Sequence, residues 1–330
     1  MNAQDYIVSQ LEVLKELLAV NNKPINDSEM VEAIFSSLMS KKFRKYSVPE
    51  KNQLIIKDAI AKNIKNKEPI KISWPFGGYK LWRLEEMPEP DWAELFTIMY
   101  IARWLKPVCA LYSHGVIFTF WVDEVVISKM NNIPQDDLDT YQKSFAHLLT
   151  FINPYLPINL RFEVFLERTQ YESNDDFEAG LVKEMENLRQ ARSTNPKLLS
   201  DAEIHSIEMN VKLTPEQSHD PLWREKIDIM HNAYYNLQEK QNRIRPSYAT
   251  ANITAFTTFF EPNVISIGTT KTSIAKFWVG VGALQKRGDT FIETILSPSQ
   301  LERDKFEWEP IAINGLNGKN FNKIRLSEPL

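Results

Sequence analysis

The chain has 330 residues, 43% hydrophobic and 25% charged, which is enough apolar material for a substantial core and excludes a chain that is disordered as a whole. Its 39 Lys and Arg against 43 Asp and Glu give a net charge of −4, so no global field draws it to nucleic acid or an anionic membrane, although a local basic pocket for a small anion stays open. Cys109 alone excludes an intrachain disulfide framework, no run reaches the ~18 apolar residues of a membrane span, and MNAQDYIVSQLEVLKELL carries acidic residues where a secretion signal needs basic ones, so a cytosolic protein with no membrane partner is expected.

Residues 1–68 predict packing helices. Ile7, Leu11, Leu14 and Leu18, then Met30, Ile34 and Leu38, fall at spacings of three and four. Ser47 with Glu50 marks a capping box leading into Leu54, Ile55, Ala59 and Ile60. A first α/β core part follows over 69–171: Ile70, Ile72 and Trp74 alternate as a strand that Pro75 ends, and the loop Gly77 to Arg83 leaves from it. EPDWAELFTIMYIARWLKP predicts a helix starting at Pro90 and Asp91, with Pro107 beyond its end. GVIFTFWVDEVVI predicts a buried strand running to Asp123 and Glu124, a helix covers about 135 to 152, and INLRFEVFLER alternates as another strand.

Residues 172–242 are polar and helical, an insertion or cap. The last part, 243–330, returns to strands in NVISIG, KFWVGVGAL and TFIETIL, the last two joined by a turn at Gly288 and Asp289. Alternation of helix and strand predicts an α/β layered fold, Rossmann-like, with a mixed sheet. There is no repeat of solenoid length.

The candidate chemistry sits in a few knots. The five histidines form no His-x-x-x-His pair and there is no Cys-x-x-Cys, so no metal is expected; no G-x-G-x-x-G follows a strand, so no dinucleotide cofactor is expected. In ISWPFGGYKLWR, Gly77 and Gly78 allow close backbone approach to a ligand, Lys80 and Arg83 supply charge, and Trp74, Tyr79 and Trp82 offer an aromatic wall; the alternative is a pair of solvated cations. GTTKTS lacks the second glycine of a P-loop. Thr269, Thr270, Lys271 and Thr272 read either as a turn or as a nest for phosphate, with Lys271 or Lys276 as the point charge. RIRPSYATANIT brings Arg243, Arg245 and Tyr248 together, to close a helix or to clamp a carboxylate or phosphate. Asp91 and Glu94 suit a helix start, Asp123 and Glu124 suit a turn, and His114 suits either proton transfer or an ordinary loop.

The run PFGGYK…PDWAELFTIMYIARWLKPVCALYSHGVIFTFWVDEVVI…IPQDDLDTYQKSFAHLL resembles the isocyanide synthase family of pyoverdine and dityrosine biosynthesis, through Lys80, Pro90, Asp91, Glu94, Tyr112, Gly115, Asp123 and Tyr141. The resemblance covers about 75 to 150 and weakly 243 to 296, where Trp278 is followed by Val279 and not by the family's histidine. It implies a Rossmann-like enzyme without metal or redox cofactor that joins the amino group of an amino acid to a pentulose phosphate. It points to Lys80, Glu94 and Asp123 as catalytic groups, to which His114 is added from its own place at the strand entrance. Trp74, Gly77, Gly78, Tyr79, Arg83, Tyr112, Arg245, Tyr248, Thr269 to Thr272 and Trp278 would line the substrates, with the lysine loop, the arginine knot and the threonine segment meeting in one cleft. Two alternatives stay open: a non-catalytic ligand-binding or protein-interaction module on the same fold, and a transferase using a sugar phosphate or nucleotide.

Overall fold

Short polar side chains start the first helices: Asn2 accepts from Asp5 N at 2.7 Å to begin α1 (Ala3–Leu14), and Asn26 accepts from Glu29 N at 3.0 Å to begin α2 (Asp27–Leu38). The structure is a computed structural model that describes residues 1–17, 26–40, 48, 50–75, 89–122, 126–166, 174–240, 254–255, 263–266 and 280–327. Ser47 and Leu18 lie outside them. Helix α3 (Glu50–Asn66) buries the stripe Ile56, Ala59, Ile60 and Ile64, while Leu54 stays 65% exposed. Together with Ile7, Leu11, Leu14, Ile34 and Leu38, that stripe belongs to the same core as the strands.

Strand β1 (Ile70–Pro75) is followed by α4 (Trp92–Leu111), β2 (Val116–Val122), α5 (Gln135–Ile152) and β3 (Leu160–Leu166). β1 pairs parallel with β2, and β2 with β3. On the other side of β1 lies β5 (Val264–Ser266), also parallel, with β4 (Thr254–Ala255) antiparallel beyond it, giving the order β3-β2-β1-β5-β4. The chain thus runs outward from β1 through β2 and β3, then returns to β1's opposite flank. A mixed α/β fold is what this order describes, as the alternation predicted.

The C-terminal strands do not extend that sheet. β6 (Val281–Arg287) and β7 (Thr290–Leu296) form a hairpin through Gly288, whose φ of 58° supplies the left-handed turn. After α10 (Pro298–Arg303), β8 (Glu307–Pro310) and β9 (Lys323–Ser327) complete a second sheet of order β7-β6-β9-β8. Leu284, Phe291, Ile324 and Leu326 join the main core. Packed by β2 and β3, by β6 and β7 and by α1 and α2, α4 is buried on nearly every side. This explains why it runs through Pro107 to Leu111 instead of stopping before the proline: tertiary burial outweighs the one hydrogen bond the ring removes.

Strand β2 ends at Val122, and Val126–Met130 coils into a π-helical turn. Ile127 and Ile133 thereby fold back onto Val122, Leu138 and Tyr141, burying apolar side chains that a longer strand would carry away. The polar region 174–240 forms α6 (Asn174–Thr194), α7 (Asp201–Asn210), α8 (Pro215–Ser218) and α9 (Trp223–Lys240). Its own apolar cluster, Phe177, Leu181, Ala233, Tyr234 and Leu237, closes over Met130 of the π turn. Lys129 pairs with Glu178, and Asn132 Nδ2 donates to Lys212 O and Gln217 Oε1, both at 2.7 Å, fixing this helical layer to the end of β2. No helix among the described residues is long and apolar enough to cross a membrane.

Candidate functional site

In open α/β sheets, ligands bind outside the carboxyl ends of the strands, where the strand order reverses direction. Here that point lies between β1 and β5, whose registers pair Ser73 with Ser266. Pro75 passes the chain into 76–88 and Ser266 passes it into 267–279, the segments holding the Gly77–Arg83 loop and the Thr269–Thr272 run. Both segments also re-enter the described structure at one place. The first arrives at Glu89 and Pro90, just before α4, and the second arrives at Gly280, just before β6.

Those arrival points are locked together. Asp91, 1% exposed, caps α4 through Oδ1, which accepts from Ala93 N at 3.0 Å, while Oδ2 accepts from Gly282 N at 3.0 Å. Glu94 completes the capping box, its Oε2 accepting from Asp91 N at 2.8 Å, and its Oε1 accepts from the Tyr141 hydroxyl at 2.9 Å. The backbones touch: a Cβ on Gly282 would stand 2.4 Å from Ala93 N and from Trp92 C. Trp92 Nε1 donates to Lys323 O at 2.8 Å, and Asn320 Nδ2 donates to Glu89 O and Pro90 O, both at 3.3 Å. The second sheet is therefore the frame that holds the far ends of both segments.

Electrostatics reinforce the lock. Burial, and then the Glu94 charge, hold the Tyr141 hydroxyl well above the ordinary tyrosine range, so it stays a donor. Burial pulls Arg325 down, and the Asp91 carboxylate opposes that shift. Asp91 accepts from Ala93 N inside the helix and Glu94 from the N–H of the cap residue, so two carboxylates stand at the α4 N-terminus and disfavour an anionic ligand there. Glu94 is thus a helix-capping and cross-linking group, with both carboxylate oxygens hydrogen-bonded to the fold.

Two other expected site residues lie at the edge of the sheet opposite the carboxyl ends of its parallel strands. Tyr112 and His114 precede β2, at the amino ends of the strands, and Tyr112 is eighteen helical residues from Glu94, about 27 Å along α4. Tyr112 is buried and its hydroxyl donates to Glu68 O at 2.9 Å, tying α4 to the turn before β1, while exposed His114 packs its ring 5.3 Å from Tyr112's. A loop that precedes a parallel strand cannot reach the edge the strand runs toward. Trp74 does sit near the carboxyl end of β1, but it is 3% exposed and its ring lies 5.8 Å from Phe120 and 6.4 Å from Phe118, as core and not as a ligand wall.

Lys80, Gly77, Gly78, Tyr79, Arg83, Asp123, Arg245, Tyr248, Thr269, Thr270, Lys271, Thr272 and Trp278 lie outside the described residues. Sequence reasoning missed Asn320, Lys323 and Gly282, whose roles are backbone contacts without a chemical signature; the glycine-rich spacing VGVGAL was the only signal. An open cavity of about 430 Å³ is lined by Ser128, Lys129, Asn132, Ile133, Pro134 and Gln135, beyond the carboxyl end of β2, and none of the expected residues lines it. Among the described residues, no group of three or more His, Cys, Asp or Glu is placed to hold a metal ion.

No protein-family model matches the sequence, and no curated protein matches it. Among solved structures, the crystal structure of the PvcA protein from Pseudomonas aeruginosa aligns with 90% of this chain and 99% of that one, at a TM-score of 0.57 and 14% identity. The two chains share a fold.

Proposed function

We propose that the protein is a distant, isocyanide synthase-like biosynthetic enzyme that condenses the amino group of an amino acid with the ketone of a pentulose phosphate. PvcA is a pyoverdine-cluster protein of that family, and the fold it shares with this chain supports the distant relationship that the PFGGYK and PDWAEL segments suggest. The observation that carries the proposal is the double tethering of 76–88 and 267–279. Both leave adjacent parallel strands at the strand-order reversal and both end on the Asp91–Gly282 lock.

In this proposal Lys80, Arg83 and Lys271 neutralise the phosphate, with Thr269, Thr270 and Thr272 donating to its oxygens, and Arg245 pairs with the amino acid carboxylate, Tyr248 beside it. Gly77 and Gly78 let the backbone approach. The amine nitrogen attacks the ketone carbon, water leaves as the imine forms, and Asp123, which directly follows β2, is the proton carrier in place of Glu94 and His114. Val279, where the family has histidine, favours a second reading in which the fold binds such ligands without turning them over.

Thermal-shift titration with amino acids and pentulose phosphates, coupled to mass spectrometry, tests both. Each compound class is expected to raise the melting temperature, and at ~100-fold excess over Kd the folded state gains ~2.7 kcal/mol. Lys80→Ala should abolish the sugar-phosphate shift and Arg245→Ala the amino acid shift. Binding without a condensed product supports the second reading, and a flat response to every compound refutes the first and leaves a protein-interaction module.

A further inference from the structure

The strands of the second sheet sort their charges by face. Cross-strand pairing puts Glu293, Glu307 and Glu309 on the same face as Leu284, Ile324 and Leu326, which is the face turned to the main core. All three carboxylates are engaged there, Glu293 with Arg103, Glu307 with Lys286 and Glu309 with the Ala3 N–H. The opposite face carries Arg287, Lys323 and Arg325, and none of the four strands adds a carboxylate to it. On that outer face Trp308, 47% exposed on the edge strand β8, stands opposite Arg325 of β9. The Lys323 ammonium and the Arg325 guanidinium each lie 4.3 Å from the centre of its ring.

One cation over an indole is an ordinary stabilising contact. Two on one ring repel each other, and the ring's quadrupole neutralises neither. Among the described residues, neither of these side chains makes a hydrogen bond or an ion pair, and the Trp308 indole N–H has no acceptor. The carboxylate whose charge Arg325 feels is Asp91, and its oxygens already accept from Ala93 N and Gly282 N. Donors alone therefore meet at this point: an ammonium, a planar guanidinium and an indole N–H. We propose that Lys323, Arg325 and Trp308 form a binding site for a phosphate group, inorganic or as the monoester of a small metabolite, on the outer face of the second sheet. Charge selects phosphate over carboxylate. One arginine fork satisfies a carboxylate, whereas a phosphate dianion takes the fork on two oxygens and the lysine on a third. Two cations that each lie 4.3 Å from one ring centre are close enough for a single such group to touch both. All three residues sit on paired strands, so the site is held in place before the ligand arrives. The proposal does not rest on the condensation reaction and uses no residue assigned to it.

Full-length protein labelled with fluorotryptophan tests it. Eight fluorine resonances are expected, and Trp308→Phe identifies the one from Trp308. Sodium phosphate, titrated at constant ionic strength, should move that resonance saturably. Lys323→Gln and Arg325→Gln should each raise the half-saturating concentration by about fivefold or more, and the double variant should abolish the shift. Arg325→Lys should also weaken binding, because a point charge replaces the planar fork. Sodium acetate is the control for charge alone and should need about tenfold more than phosphate. Glycerol phosphate separates the two sources: tighter binding than inorganic phosphate assigns the site to a phosphorylated metabolite, and equal or weaker binding assigns it to free phosphate. A Trp308 resonance that phosphate moves no further than acetate does, or a phosphate shift that survives in the double variant, overturns the proposal. Should Arg325→Gln not fold, Lys323→Gln carries the same readout, since the Lys323 side chain is exposed and the residue holds Trp92 through its backbone oxygen alone.

Discussion

The bond from Tyr141 to Glu94 joins α5 to the cap of α4, and removing it should be costly in a calculable way. Phenylalanine keeps the ring, so Tyr141→Phe deletes one hydroxyl that is 2.9 Å from a carboxylate oxygen in a site where both side chains are buried. Hydrogen bonds to charged groups contribute ~1.5–3 kcal/mol, and a buried acceptor that loses its donor costs in the same range. A loss of about 2 kcal/mol is expected, or ~4 °C in melting temperature at roughly 2 °C per kcal/mol for a chain of this size. Glu94→Gln should cost a similar amount, and the double variant should fall short of the sum by about 1 kcal/mol, because the two changes destroy one shared interaction. Urea unfolding of the four proteins measures this. The alkaline limb adds an independent check: a hydroxyl whose folded pKa is raised by burial and by Glu94 stabilises fully below about pH 10, the unfolded value, and the stability is lost as pH rises through the folded value. The fall above pH 10 should therefore be shallower in Tyr141→Phe than in wild type. Additive single effects, or a Tyr141→Phe loss under about 0.5 kcal/mol, would show that the hydroxyl does not hold α4 to α5.

Gly115→Ala should cost at least ~2 kcal/mol by urea midpoint, since φ is 68° and a Cβ would stand 1.8 Å from Asn159 O, a backbone atom; a neutral result would mean the turn before β2 rearranges freely. Cys109 is 3% exposed with its thiol pushed up to about 12 by burial, so it should resist Ellman's reagent in the native protein and react once denaturant unfolds it; prompt labelling under native conditions would contradict its burial.

What the sequence revealed follows from range. Helix α5 was legible in its approximate bounds because its apolar spacing is local and strong, as was the alternation that makes β3. The turn at Gly288 was legible from its residue types. Pro107 misled because local propensity marks a stop, whereas α4 is enclosed by both sheets and two helices, a fact of tertiary packing. The place of Tyr112 and His114 was not legible, because sequence context says nothing about which end of a parallel sheet a residue occupies until strand directions are known. Asp91 was correctly seen as a helix-start residue, yet its partner Gly282 and the link from Glu94 to Tyr141 span 191 and 47 positions, beyond any window of periodicity.

The sealing of the α4 N-terminus also decides where an anion can sit. A helix start at the end of the first parallel strand is the usual phosphate cradle of such folds, with free N–H groups and a favourable dipole. Here Asp91 and Glu94 already occupy it. At ~5 Å and an effective dielectric near 20, each carboxylate would repel each unit of phosphate charge by ~3 kcal/mol, more than one hydrogen bond from the helix returns. A phosphate bound at the β1–β5 edge must then be held by side-chain cations on the flanking segments. In the proposed function that requirement falls to Lys80, Arg83 and Lys271, carried by 76–88 and 267–279, and phosphate affinity is then expected to depend steeply on them. It also gives the carboxylate pair a second consequence: by disfavouring anions at the helix end, it leaves the neighbouring space to a neutral or cationic group, which in the proposed function would be the amine of the amino acid.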